Sequence, residues 1–171
     1  GPRVGRRGAA LGGARASGLS GVHKGRNKER TNVGSVSIGP ASRRLGEALR
    51  HAATRKQSGQ AIGEFQLVQA MLADCKVEIS AARALILETA RKRDRGEDVT
   101  MDVSMCKYYA SEMAGRVADR VVQIFGGAGY CEDIGGSVPR FYRGVRLFRL
   151  HEGTSQIPQL NIARHLLLGG R

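Results

Sequence analysis

Tryptophan is absent from this 171-residue chain, and the other aromatics amount to four Tyr and four Phe. A core must therefore be built from Ala, Val, Leu and Ile, and the interleaved aromatics that stack nucleobases are missing. No apolar run reaches the roughly 18 residues that a membrane-spanning helix needs. Cysteine is scarce too. Cys75, Cys106 and Cys131 are odd in number, far apart and without a CxxC pair, which speaks against a disulfide framework or a zinc site and for a reducing compartment. Convincing strand alternation is also lacking.

Acidic residues are missing from one region only. Residues 1–28 contain seven Lys or Arg and no Asp or Glu, so more than half of the net charge of +13 sits there. This Gly-, Ala- and Arg-rich stretch has too little apolar surface to fold alone. Three readings fit it: a solvated, poorly ordered tail, a basic targeting peptide without a clear amphipathic period, or a non-specific nucleic-acid contact. The domain organisation expected is a tail over 1–28 and one helical unit over 29–171.

Helical periodicity dominates the remainder. Apolar residues from Val33 to Ala52 mark a first helix over about 30–54, with Gly39-Pro40 expected to kink it or delay its start. Gln57-Ser58-Gly59-Gln60 reads as a turn. Residues 62–93 give the cleanest signal, with Phe65, Val68, Leu72, Cys75, Ile79, Ala82, Ile86 and Thr89 at three- and four-residue steps. Gly96 stops this helix behind a basic last turn. A third helix is expected over 102–124, with Asp102 as N-cap and Val103, Cys106, Ala110, Met113, Val117, Val121 and Ile124 on one side. A short helix over Pro139–Leu147 and a last one over Ser155–Leu168 follow. The latter has Ile157, Leu160, Ile162, Ala163, Leu166 and Leu167 as its apolar set. The fold class is all-α, an up-down bundle of four main helices plus a short one.

The segment QIFGGAGYCEDIGGSVPRFYRGVRLFRLHEGTSQI (123–157) is the most informative. A glycine-rich turn is followed by an Arg-rich aromatic stretch. Then Glu152 stands immediately before Gly153-Thr154-Ser155 and a new helix. A carboxylate beside a glycine at a helix start suits proton abstraction next to an anionic cofactor, although it also simply favours the helix dipole.

Taken with Arg30 nine residues before Gly39, and with EALRHAATRKQSGQAIGEFQLVQAMLAD over 47–74, this segment resembles the C-terminal helical domain of flavin-dependent acyl-CoA dehydrogenases. The resemblance covers roughly residues 30–168. It implies α,β-dehydrogenation of an acyl-CoA thioester with FAD as cofactor. An acyl-CoA oxidase is a close variant. The partners implied are electron-transfer flavoprotein and further copies of the chain, as a dimer or tetramer. No membrane partner is implied and nucleic acid is not favoured. The compartment implied is the cytoplasm, or the mitochondrial matrix in a eukaryote. Family subunits also have an N-terminal helical domain and a middle β-domain, and this sequence covers neither. A non-catalytic bundle that self-associates or docks on a fuller subunit is the competing reading.

By this resemblance Glu152 matches the catalytic base of straight-chain-type members, and its backbone amide helps hold the thioester carbonyl. Glu29 stands where other members carry the base instead, and Arg30 matches a family arginine near the active site. For the cofactor, Arg55 and Gln57 match a turn that touches the flavin of the neighbouring subunit. Gln123, Gly126 and Gly127 match contacts near the adenine-diphosphate part, and Thr154 and Gln156 match flavin contacts after the base. A hydroxyl such as Thr154 could equally cap the helix. No metal is implied. An apolar acyl chain packed on a carboxylate raises its pKa toward a useful range. The sequence departs from the family pattern at Ser58 (an aromatic expected), Gly144 (an acid), His151 (a Tyr), Pro158 (a polar residue) and in a longer connection over Ile134–Val138.

Overall fold

The computed structural model describes residues 18–169, with side chains from residue 32 onward. Its elements run α1 (Gly18–Thr54), a two-residue antiparallel pair β1 (Lys56–Gln57) and β2 (Gln60–Ala61), a 3₁₀ turn (Ile62–Glu64) and α2 (Gln66–Asp94). These are followed by α3 (Thr100–Phe125), one helical turn α4 (Gly127–Tyr130), α5 (Val138–Val145), a second 3₁₀ turn (Arg146–Arg149) and α6 (Gln156–Leu168). The protein is an all-α bundle, as the periodicity predicts.

Helices α1, α2 and α3 enclose the main core. Ile38, Ala41, Leu45, Ala48 and Ala52 of α1 meet Cys75, Ile79, Ala82 and Ile86 of α2 and Cys106, Ala110, Met113, Val117 and Val121 of α3. Small residues let the backbones come close. A Cβ on Gly34 would lie 3.2 Å from the Cys106 carbonyl oxygen, tighter than packed helices accommodate without shifting. Cys75 and Cys106 are completely buried, and desolvation pushes both thiols up, so they behave as small apolar residues rather than nucleophiles.

Three expectations are corrected. Helix α1 starts at Gly18 rather than near Arg30, and it passes through Pro40 without ending. The carbonyl that Pro40 leaves without an amide donor belongs to Val36, an exposed residue, so water can serve it. Asp102 does not cap α3. The N-cap is Val99 without a side-chain bond. Asp98 instead accepts from the amide and hydroxyl of Thr100, at 3.0 and 2.7 Å, which holds its carboxyl below the usual range. Asp102 lies inside the first turn and pairs with Lys92 of α2 at 2.7 Å.

The third correction is that α3 buries two faces, not one. Ala114 and Ala118 form a second, smaller cluster with Val145, backed by Phe141 and Phe148. The apolar set of α6 is mostly uncovered within this chain. Leu160, Leu166 and Leu167 are exposed, and Pro158 is its buried residue. Pro158 is compatible with the helix because it sits in the first turn, where an amide hydrogen has no intrahelical partner. The stretch 131–137 folds back on α4 through Gly135, whose amide bonds the Cys131 carbonyl. A Cβ at Gly135 would collide with the carbonyls of Ala128 and Cys131. Gly135 is therefore required by packing, and Gly136, with φ 56°, by backbone conformation.

Candidate functional site

Glu152 adopts the left-handed conformation, with φ 54°, and Gly153 follows with φ 96°. A side chain in that region is strained, so the surroundings must hold it there. Three tethers do so, all ending on α3. Lys107, fully buried, donates its Nζ hydrogen to the Gly153 carbonyl at 2.6 Å. Ser155 Oγ donates to Glu112 Oε1 at 2.6 Å, and Arg149 Nη2 grips Glu112 Oε2 at 3.1 Å. The backbone adds Ser155 N to Arg149 O at 3.2 Å. Gln159 Nε2 then donates to the Tyr108 hydroxyl at 2.8 Å. Glu152 itself is half-buried, while Thr154 and Gln156 are exposed.

Local chemistry explains why α6 starts where it does. Ser155 is its N-cap position but makes no side-chain cap, because its hydroxyl goes to Glu112. Thr154, one residue earlier, is exposed. The Glu152 carboxylate, Gly153 and the first turn of α6 form one rigid corner. Such a corner can present an acid and backbone amides to the same ligand.

The other candidate cofactor residues gather at the opposite end of α3. His51 near the end of α1 stacks on Phe125 at the end of α3, centroids 4.1 Å apart. This brings the turn after α1 beside the glycine turn after α3. Arg55, Gln57, Gln123, Gly126 and Gly127 are all exposed there. Ser58 (φ 51°) and Gly59 (φ 84°) make the tight turn, and Gly126 has φ 61°. A Cβ on Gly126 or Gly127 would meet nothing within 4 Å. Their backbone is thus open to an approaching ligand, and an arginine beside bare amides suits a pyrophosphate.

The chain does not bring these two groups together. Glu112 and Gln123 are eleven residues apart on α3, which is about 16 Å of helix. The two groups therefore lie apart along one helix. Glu29 and Arg30 fall on the backbone of α1, with their side chains outside the described residues. No cluster of three or more potential metal ligands occurs among the described residues.

Sequence reasoning missed Lys107, Glu112, Arg149 and Ser155. Lys107 carried a usable signal, since it is a cation among Val103, Cys106, Ala110 and Ala114 at helical spacing. The role of Gly115 was invisible in one dimension. A Cβ there would run into the Arg149 guanidinium, which lies across α3 at that point.

Residues 16–167 match the family model "Acyl-CoA dehydrogenase, C-terminal domain". Among curated relatives, the CarC subunit of the caffeyl-CoA reductase–Etf complex of Acetobacterium woodii is 39% identical over 150 residues, covering 88% of this chain and 39% of that protein. The solved butyryl-CoA dehydrogenase of Megasphaera elsdenii superposes with a TM-score of 0.86 at 32% identity, over 91% of this chain and 40% of its own. A structure of PigA with FAD and proline superposes equally well, at TM-score 0.86 and 29% identity, over 92% of this chain and 41% of its own. The chain thus spans about two fifths of the length of the proteins it matches.

Proposed function

Because the chain belongs to the acyl-CoA dehydrogenase family and carries its C-terminal domain, we propose that it supplies the catalytic base and part of the FAD site for α,β-dehydrogenation of an acyl-CoA thioester. The observation that carries this reading is the strained Glu152-Gly153 corner, tied to α3 by a buried lysine and a Ser–Glu–Arg relay. Strain retained at a fixed corner argues for a positioned side chain rather than a solvated one.

In this reading the Glu152 carboxylate removes the α-proton. The Glu152 backbone amide receives the thioester carbonyl, on which charge develops as the proton leaves. FAD, when bound, accepts the β-hydrogen as hydride. Thr154 and Gln156 would hold the flavin of the same subunit. Arg55, Gln57, Gln123, Gly126 and Gly127 would hold the adenine-diphosphate part belonging to a second copy. The separation of the two groups along α3 supports that division, and it makes a homo-oligomer part of the proposal. Electron-transfer flavoprotein is the proposed electron acceptor, with molecular oxygen the acceptor in the oxidase variant.

The test joins this chain to the N-terminal and middle domains of a curated relative and measures acyl-CoA-dependent dye reduction. Glu152→Gln should lower turnover about a hundred- to ten-thousand-fold, with flavin retained. Full turnover in Glu152→Gln together with its loss in Glu29→Gln would move the base to Glu29. The second reading is a self-associating bundle without catalysis. The uncovered leucines of α6 favour it, and a colourless protein that never takes up FAD would establish it.

A further inference from the structure

Beyond the corner and the glycine turn, a groove of about 540 Å³ lies between α3 and the α5–3₁₀ segment. Its walls carry Arg116, Arg120, Arg143, Arg146 and Arg149 against one acid, Asp119. None of the residues assigned to base or flavin lines it. Its volume falls in the range of small-molecule sites.

The arginines are pre-oriented from outside the groove. Glu78 takes Arg116 Nε at 2.8 Å and Arg120 Nη2 at 3.0 Å. Glu112 takes Arg149, and Glu132 pairs with Arg143. These carboxylates do not line the groove, and they leave donors unused. Arg120 Nη1 and Arg149 Nε are both buried with no hydrogen-bond partner. Buried, unpaired guanidinium nitrogens are costly and uncommon. Arg120 packs against the Cys75 thiol in the core and Arg149 against Gly115, so both stiffen the wall, and the donors open to a ligand are those of Arg116, Arg143 and Arg146. Arg143 and Arg146 stand exposed at the mouth beside Tyr142, and Gly144 between them adds no side chain.

We propose that this groove binds a phosphate-bearing anion of pyrophosphate or nucleotide size, with Arg116 donating from its wall and Arg143 and Arg146 at its mouth. Planar guanidinium forks match phosphate oxygens in pairs, which a diffuse positive surface does not do. The donors it uses are not among the residues assigned to base or flavin, although Arg149 of the corner's relay borders the groove.

Titration calorimetry of the 171-residue chain with inorganic pyrophosphate and with ADP tests it. An ionic strength of about 0.1 M shortens the reach of the basic residues 1–28 to about 10 Å. Saturable binding of at least one probe is expected, with Kd raised about tenfold or more in the Arg143→Gln/Arg146→Gln double variant. Both substituted side chains are exposed, so the fold should be retained, and circular dichroism checks it. Arg164→Gln on exposed α6 should leave Kd unchanged. Binding of ADP alone would assign the ligand to a nucleotide, and binding of both probes would assign it to the phosphates. No saturable binding, an equal loss in Arg164→Gln, or a loss confined to Arg55→Gln would each overturn the proposal. The last outcome would place the anion at the glycine turn instead.

Discussion

Thirteen of the 26 residues of α3 are buried, whereas α6 buries Pro158 alone among its 13. Both helices are rich in apolar side chains. The difference lies in what surrounds them. Helix α3 has α1 and α2 on one flank and the α5 segment on the other, so two faces find partners within the chain. Helix α6 docks at its first turn through Pro158 and the Gln159–Tyr108 bond, and then presents Leu160, Leu166, Leu167 and Leu168 outward. An exposed apolar stripe of that kind marks an interaction surface. Packing inside one chain secures α3, and a contact outside it is needed to cover α6.

The contrast is sharpest at Val117, which is fully buried. Val117→Asp should cost more than about 4 kcal/mol, since an unpaired carboxylate would enter a dry core. Urea denaturation should find the variant largely unfolded. Next in size is Lys107→Met. It leaves the Gly153 carbonyl without its donor, a loss of about 1–3 kcal/mol, and hydrogen exchange should quicken over residues 150–156 but not in the centre of α3. A uniform quickening would mean that Lys107 supports the bundle rather than the corner.

A smaller effect is expected with pH. Burial, and after it the charge of Arg55, hold the His51 imidazole below its ordinary value of 6.5. The unfolded chain therefore binds this proton more readily than the folded one. The contribution is fully present above the ordinary value and is lost as pH falls through the lowered folded one. Below about pH 6.5 the melting temperature should fall more steeply in the parent than in His51→Gln. The smallest change in stability, within about 0.5 kcal/mol, is expected for Leu167→Asp on α6. Sedimentation velocity should show that same variant self-associating less. A large loss of stability there would erase the distinction between the two helices.

The main bundle was legible because its signal is local. Helical spacing picked out Cys75, Ile79, Ala82 and Ile86 on α2 and Met113, Val117 and Val121 on α3, and all are buried. The second face of α3 escaped because alanines such as Ala114 and Ala118 contribute little to an apolar pattern and much to close packing. The apolar stripe of α6 was legible as a pattern but its partner was not, since periodicity says that a face will be covered and not by what. At the site, Glu152 and Gly153 stood out as a sequence motif. Their tethers did not, because Lys107 meets Gly153 and Glu112 meets Ser155 across 46 and 43 residues of chain. Asp102 shows the converse, a residue suited to capping that tertiary structure recruited for an ion pair with Lys92.

Helix α3 also works as a measuring rod. The corner is pinned near Lys107 and Glu112 and the glycine turn hangs from Phe125, so the number of residues between them sets both distance and bearing. One residue inserted in that interval would lengthen the gap by about 1.5 Å and swing one end around the axis by about 100°. Side-chain replacements along this rod are tolerable in many places, but a change in its count would put the corner and the glycine turn out of phase.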